Sequence, residues 1–180
     1  MDELTLINEC IKGNPTAQKK LFEKFAPKMM FVCLRYCKDS NDAEDVLQEG
    51  FIKVFGSLSK YKHEGSFEGW MRRVFVNTSL DFLRKEKQLS STSSYEDVDY
   101  KIHDDYSTSG ALEAEDLMKI IMKLPKGYQV VFNLFAIEGY THKEIAELLG
   151  ISEDTSKSQY FRARASLKNY LEKEKRSYEL

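Results

Sequence analysis

Three stretches of this chain carry residue types that could do chemistry on a polyanion or a protein surface. Between Phe67 and Lys87, basic residues (Arg72, Arg73, Arg84, Lys85) alternate with aromatics (Trp70, Phe75, Phe82) and a mid-segment Asn77. Arg and Lys neutralise phosphate, aromatic faces stack on unpaired bases, and an Asn amide offers both donor and acceptor to a base edge. Trp70, Val74 and Phe75 would equally suit a core. Asn77 is harder to explain that way, because Asn competes with the helical backbone for hydrogen bonds. Near the other end, Lys157 to Arg176 holds seven Lys/Arg against two Glu. Between these ends' chemistry and the start of the chain stands an acidic run, Asp42, Glu44, Asp45, Gln48 and Glu49, followed by a long apolar row. Acids in a first helical turn are favoured by the helix dipole, and they could also dock a basic partner; charge alone leaves both open.

Nucleophile–base pairs and metal sets are not evident. Cys10, Cys33 and Cys37 are an odd number, which argues against a disulfide framework. Cys33, Cys37 and His63 could offer three zinc ligands, but no fourth has suitable spacing. Small apolar core residues are the better account of the thiols. The expectation is therefore no enzyme, no catalytic residue, no metal and no cofactor.

These groups need elements to position them, and the clearest is Gly139–Lys168. Thr141 followed by Glu144 is a capping-box pattern. Ile145, Ala146 and Leu149 would form a buried face, and Gly150 permits the left-handed turn. Ile151 would plug the interface and Ser152 cap a second, basic helix. Together these read as a DNA-binding helix-turn-helix. Upstream, Leu4, Ile7 and Ile11 predict a first helix ending at Gly13-Asn14. A second follows Pro15 with the stripe Ala17, Leu21, Phe25, and Pro27 is expected to break or kink it before Met29, Val32, Cys33 and Tyr36. A third follows the cap region Asp39–Asp42, with Val46, Leu47, Phe51, Val54, Phe55 and Leu58 inward. A fourth runs from a Ser66 cap to about Lys87.

Net charge of −2 conceals an uneven distribution. Residues 1–87 hold 15 Lys/Arg and 13 Asp/Glu, residues 116–180 hold 11 and 9, and residues 88–115 hold Lys101 against seven acids. Residues 88–111 are rich in Ser, Thr and Asp without periodicity, the composition of a flexible acidic linker. Beyond it, Leu112, Leu117, Ile120, Ile121 and Leu124 predict a helix ended by Pro125, and Val130, Val131, Leu134, Phe135 and Ile137 another. The fold class is all-α: two small helical domains, 1–87 and 112–180, joined by the linker 88–111. The N-terminus has no signal-peptide pattern and no apolar stretch reaches membrane-spanning length, so a cytoplasmic protein without membrane insertion is expected.

Three blocks, Asp42–Phe55, Ser66–Lys85 and the helix-turn-helix, resemble bacterial sigma factors in order and spacing. The specific group is the extracytoplasmic-function (ECF) type of the sigma-70 family, and the resemblance covers about residues 4–87 and 112–172. It implies a subunit that directs RNA polymerase core to promoters and assists −10 melting. Asp45, Gln48 and Glu49 would dock on the core. Tyr61 and Lys62 would lie in a base-capturing loop, with Trp70 and Asn77 at the −10 element and Arg72, Arg73, Arg84 and Lys85 on its backbone. Lys157, Ser158, Gln159, Phe161 and Arg162 would face the −35 major groove, and Arg164 phosphate. The acidic linker is similar to those threading the RNA exit path, and an anti-sigma factor is an implied partner. Ser156 stands where the family usually has Val, which is expected to loosen packing, and Gln159 where Arg is common. His63 and Glu64 replace the more usual Gly-Asp, so the −10 and −35 preferences stay open. The competing readings are a stand-alone regulator with an N-terminal sensing or dimerisation domain, and an enzyme or metal sensor using Cys33, Cys37 and His63.

Overall fold

The computed structural model describes the backbone of residues 2–89 and 118–178 and the side chains of 2–86 and 118–172. Every regular element among them is helical, and the chain forms two compact units, Met1–Tyr95 and Glu96–Leu180. From residue 90 onward the expected linker lies outside the described residues, as do Leu112 and Leu117.

Unit one is built from α1 (Glu3–Ile11), α2 (Pro15–Leu34), α3 (Ser40–Ser57) and α4 (Phe67–Leu89). Their starts follow from local hydrogen bonding. Asp2, Asn14 and Asp39 each accept backbone N–H bonds in the first turn of the helix they precede, and Ser66 Oγ accepts from Gly69 N at 3.1 Å. Each such cap contributes roughly 1 kcal/mol by satisfying an orphan donor. The core of this unit is Leu21, Phe25, Met29, Val32, Tyr36, Val46, Phe51, Val54, Phe67, Met71 and Phe75, all buried.

Two expectations are narrowed here. Of the break or kink expected at Pro27, the break is absent: α2 runs from Pro15 to Leu34. Pro27 lies on the exposed side, where water can serve the carbonyl it leaves without a donor, while Phe25 and Met29 are buried on either side of it. In α1 the buried face is Leu6, Ile7 and Cys10, whereas Leu4 and Ile11 are exposed. Docking against α2 selects a face one position away from the expected stripe.

Unit two contains a helical segment at 118–122 (α5), α6 (Lys126–Phe132) continuing into a π-helical turn at Asn133–Ile137, α7 (His142–Leu149) and α8 (Glu153–Tyr178). Ile120, Ile121 and Leu124 pack with Ala163 and Leu167 of α8, ringed by Tyr128, Phe132, Ile137 and Tyr170. The capping box is present: Glu144 N donates to Thr141 Oγ1 at 3.2 Å and Thr141 N to Glu144 Oε2 at 2.8 Å. Gly150 takes φ 66°, a conformation that strains any residue with a Cβ, and lets α8 leave at the helix-turn-helix angle. Ser152 Oγ then caps α8 by accepting from Thr155 N at 3.0 Å.

Candidate nucleic-acid interface

On α4, helical spacing puts Trp70, Arg73, Asn77, Asp81 and Arg84 on one side. Arg73, Asn77 and Arg84 are exposed and Trp70 is half-buried, while Phe67, Met71, Phe75 and Val76 face inward. The stripe thus offers cations, an amide and an aromatic edge to solvent. Arg72 departs from it. That residue sits on the other side of the helix and is half-buried, because a helix alternates faces faster than the run of basic residues does. Of the residues suggested as core, Phe75 is fully buried and Trp70 and Val74 only half.

A short loop closes over the start of the stripe. Tyr61 follows a single 3-10 turn, Leu58–Lys60, and its hydroxyl donates to Gly65 O at 2.9 Å, drawing the loop into a lobe. Its ring stands 5.5 Å from Trp70, 5.3 Å from Phe67 and 4.6 Å from His63. His63 holds φ 58°, an uncommon conformation for a non-glycine residue. Tyr61 and Trp70 therefore meet in one aromatic cluster, with Lys62 exposed beside them. An unpaired base could stack there, and a phosphate could meet Lys62, Arg73 or Arg84.

On α3, Asp45 and Gln48 are exposed and Glu49 is half-buried. Between Gln48 and Phe55 lies Ile52, 72% exposed. Its aliphatic side chain stands in water beside the acidic residues of the same helix. Glu49 is not idle: its carboxylate pairs with Lys53 at 3.1 Å and Lys85 at 3.9 Å, and Lys53 reaches Asp81 at 3.3 Å. Asp81 in turn holds Arg84 at 2.6 Å. A chain of ion pairs thus runs from the α3 face to the α4 stripe.

In α8, Lys157, Ser158, Phe161 and Arg162 are exposed, and Phe161 is 73% exposed. Such a ring costs free energy in water and is suited to contact a thymine methyl or a sugar. Lys157 pairs with Glu153 at 2.8 Å, which holds the Glu153 carboxyl below its usual range and raises the Lys157 ammonium. Arg162 Nη1 lies 3.4 Å from the Tyr128 hydroxyl. Arg164 sits 5.9 Å from the Tyr160 ring centre, on the flank. Gln159 is half-buried, and its amide lies close to Gly127 at the start of α6. Ser156 differs from expectation. It does not leave packing loose, because it is fully buried and its Oγ lies 2.9 Å from His142 Nδ1. His142 had no part in the sequence reading.

The thiols lie in the core: Cys10, Cys33 and Cys37 are buried, and burial pushes the Cys33 thiol up to about 12. His63 is exposed in its loop, and no group of three metal-ligating side chains occurs among the described residues.

Residues 21–88 match the family model for sigma-70 region 2, and residues 114–167 match that for sigma-70 region 4. The chain is similar to the ECF RNA polymerase sigma factor SigE of Mycolicibacterium smegmatis, 31% identical over 86% of this chain and 61% of that protein. It is also similar to the ECF RNA polymerase sigma-E factor of Escherichia coli K12, 27% identical over 94% of each chain. Among solved structures, the sigma factor RpoE of Bartonella quintana, in complex with the anti-sigma factor NepR, shares the fold with a TM-score of 0.60 at 19% identity, covering 86% of this chain and 96% of that one. No helix among the described residues is long and apolar enough to cross a membrane. With sigma-70 regions 2 and 4 both matched, and ECF sigma factors along most of its length, the chain belongs to the ECF type of the sigma-70 family of RNA polymerase sigma factors.

Proposed function

We propose that this sigma factor works as a non-enzymatic, cytoplasmic specificity subunit that grips a promoter at two points once held by bacterial RNA polymerase core. The α3 face of Asp45, Gln48, Glu49 and Ile52 docks on the core. The loop at Tyr61 and Lys62 and the α4 stripe of Trp70, Arg73, Asn77 and Arg84 capture unpaired −10 bases and their backbone. The exposed face of α8, with Lys157, Ser158, Phe161 and Arg162, reads the −35 major groove. Arg72, Lys85 and Arg164 serve at the margins, as positioning or phosphate contacts. An anti-sigma factor, of the kind bound by the Bartonella neighbour, is the further partner.

The observation that carries this reading is the outward alignment of Arg73, Asn77 and Arg84 beside the Tyr61–Trp70 cluster. Duplex recognition alone needs no such arrangement, whereas holding a flipped or unpaired base needs an aromatic face next to an amide and cations. Each small unit offers few phosphate contacts, so binding by the free protein is weak. The core supplies effective concentration by fixing both units at once.

The deciding experiment mixes the purified protein with bacterial core RNA polymerase and promoter DNA and measures holoenzyme formation and specific initiation. A protein that fails to bind core at micromolar concentration, yet binds a palindromic duplex, would be a stand-alone regulator and the proposal would fall.

A further inference from the structure

Promoter reading as set out above makes no use of His142. Its ring is half-buried at the first turn of α7 and stacks on Phe135, with centroids 4.2 Å apart and planes at 12°. Phe135 belongs to the π-helical turn, and Tyr160 of α8 completes the cluster 4.5 Å from Phe135 and 5.8 Å from His142. The imidazole is thereby fixed on one face. On its edge, Nδ1 lies 2.9 Å from the Oγ of Ser156, which is 0% exposed in the first turns of α8.

An aliphatic side chain at 156 would hold α8 through dispersion, which tolerates small rotations. A buried hydroxyl is different: it must make its hydrogen bond, and that bond has a preferred direction. With the ring immobilised by Phe135, the direction of the bond fixes where Ser156 stands. Lys157 and Ser158 are the next two residues on the same helix, and Phe161 and Arg162 lie one turn further on. Any rotation of α8 at Ser156 is passed directly to them.

We propose that His142 is a positioning residue for duplex reading, acting through Ser156 to set the rotation and depth of the α8 reading face. The inference rests on the assignment of α8 as the −35 helix. It also gives the buried Ser156 a role: the hydroxyl replaces apolar packing by a directional tie between the two helices of the helix-turn-helix.

The test is a double-mutant cycle in holoenzyme made with the full chain. His142→Phe keeps a flat ring on Phe135 and removes Nδ1, and Ser156→Ala removes the hydroxyl. Initiation is measured on a complete promoter and on a template pre-melted at −10, where the −35 contact is dispensable. Each single variant leaves one polar group, the buried Ser156 hydroxyl or the half-buried His142 ring, without its partner, so each should lower initiation on the complete promoter about five-fold, the scale of one hydrogen bond. The double variant should be no worse than the weaker single, and the pre-melted template should be unaffected. Nitrogen NMR of the His142 ring should report the bond to Nδ1 in the parent chain and its loss in Ser156→Ala. Additive losses, equal losses on both templates, or an unchanged Nδ1 signal would overturn the proposal. Arg162→Ala runs beside the cycle. If it lowers complete-promoter initiation while the pair shows no coupling, the positioning role alone falls. If it has no effect, the −35 assignment of α8 falls and the positioning role with it.

Discussion

Gly50 of α3 lies directly under the ring of Phe75 of α4. A Cβ at Gly50 would stand 2.8 Å from Phe75 Cζ and closer still to the ring's Cε1 and Cδ1. Phe75 is 0% exposed and is held edge-on by Phe51, 5.2 Å away, so the ring has no room to yield. Gly50→Ala should therefore destabilise the first unit by about 2 kcal/mol, overpacking outweighing the roughly 1 kcal/mol by which Ala favours a helix. Chemical denaturation reads the loss. Adding Phe75→Leu should recover part of it, because the shorter side chain vacates the contact. A Gly50→Ala chain as stable as the parent would show that α3 and α4 do not approach this closely.

Asn77 is exposed on the α4 stripe. Asn77→Ala should leave core binding unchanged and the melting temperature no lower, since Ala is the better helix former, while lowering promoter opening about ten-fold, within the range of one lost base-edge contact. Permanganate reactivity of −10 thymines reports opening directly. Parallel losses in opening and core binding would indicate unfolding.

Ile52 separates docking from folding in the same way. At 72% exposed it contributes little to the unit's own core, so Ile52→Asp should melt as the parent does. If the α3 face docks on polymerase, the substitution removes the burial of one aliphatic side chain and puts a charge there instead. Core affinity should drop at least ten-fold, since such burial is worth about 1.5–3 kcal/mol. Competition with a labelled sigma factor for core measures it, and unchanged affinity would move the docking face elsewhere.

Much of this arrangement was legible in the residues because it is local. Thr141 and Glu144 announce the capping box, and Gly150 the left-handed turn. What escaped depended on partners distant in sequence. Ile52 looked like any apolar helix position until the face opposite Val46 and Phe51 was seen to be free. Nothing in the sequence around Gln159 reveals that its amide lies close to Gly127 of another helix. Ser156 read as a defect because the compensating group, His142, lies in another helix. Pro27 shows the opposite case. The local rule allows a break or a kink, and the buried Phe25 and Met29 on either side of it leave α2 without the break.

Asp42 makes stability depend on pH in a stated direction. Burial raises its carboxyl above the usual range, and the neighbouring Asp39 adds to this; Lys38, 3.6 Å away, opposes it in part. With the folded pKa above the unfolded one, the native state binds more protons between the two values. This group's contribution is therefore unfavourable at neutral pH, and it improves as pH falls through the raised folded value. Asp42→Asn should raise the melting temperature at pH 7, and the advantage over the parent should shrink as pH is lowered past the carboxylate range. An advantage that is absent at pH 7, or grows in acid, would mean that Lys38 outweighs burial.

Lys157 and Arg162 share the exposed face of α8 but start from different states. Lys157 is engaged by Glu153 at 2.8 Å and lies 3.9 Å from Asp154, so part of its charge is answered before any duplex arrives. Arg162 meets the Tyr128 hydroxyl at 3.4 Å. Both pairs are exposed, and a surface pair of this kind is weak and screened by salt. Glu153→Gln should consequently tighten holoenzyme binding to promoter duplex, most at low salt, by releasing Lys157 to phosphate. Arg162→Ala should weaken −35-dependent binding about ten-fold and act mainly on promoters with an intact −35 element. A titration of binding against salt separates the two: Glu153→Gln should steepen the dependence by about one counterion, because one more cation meets phosphate. If Glu153→Gln leaves the slope unchanged, Lys157 does not reach the backbone. It would then contact a base edge or stand outside the groove altogether.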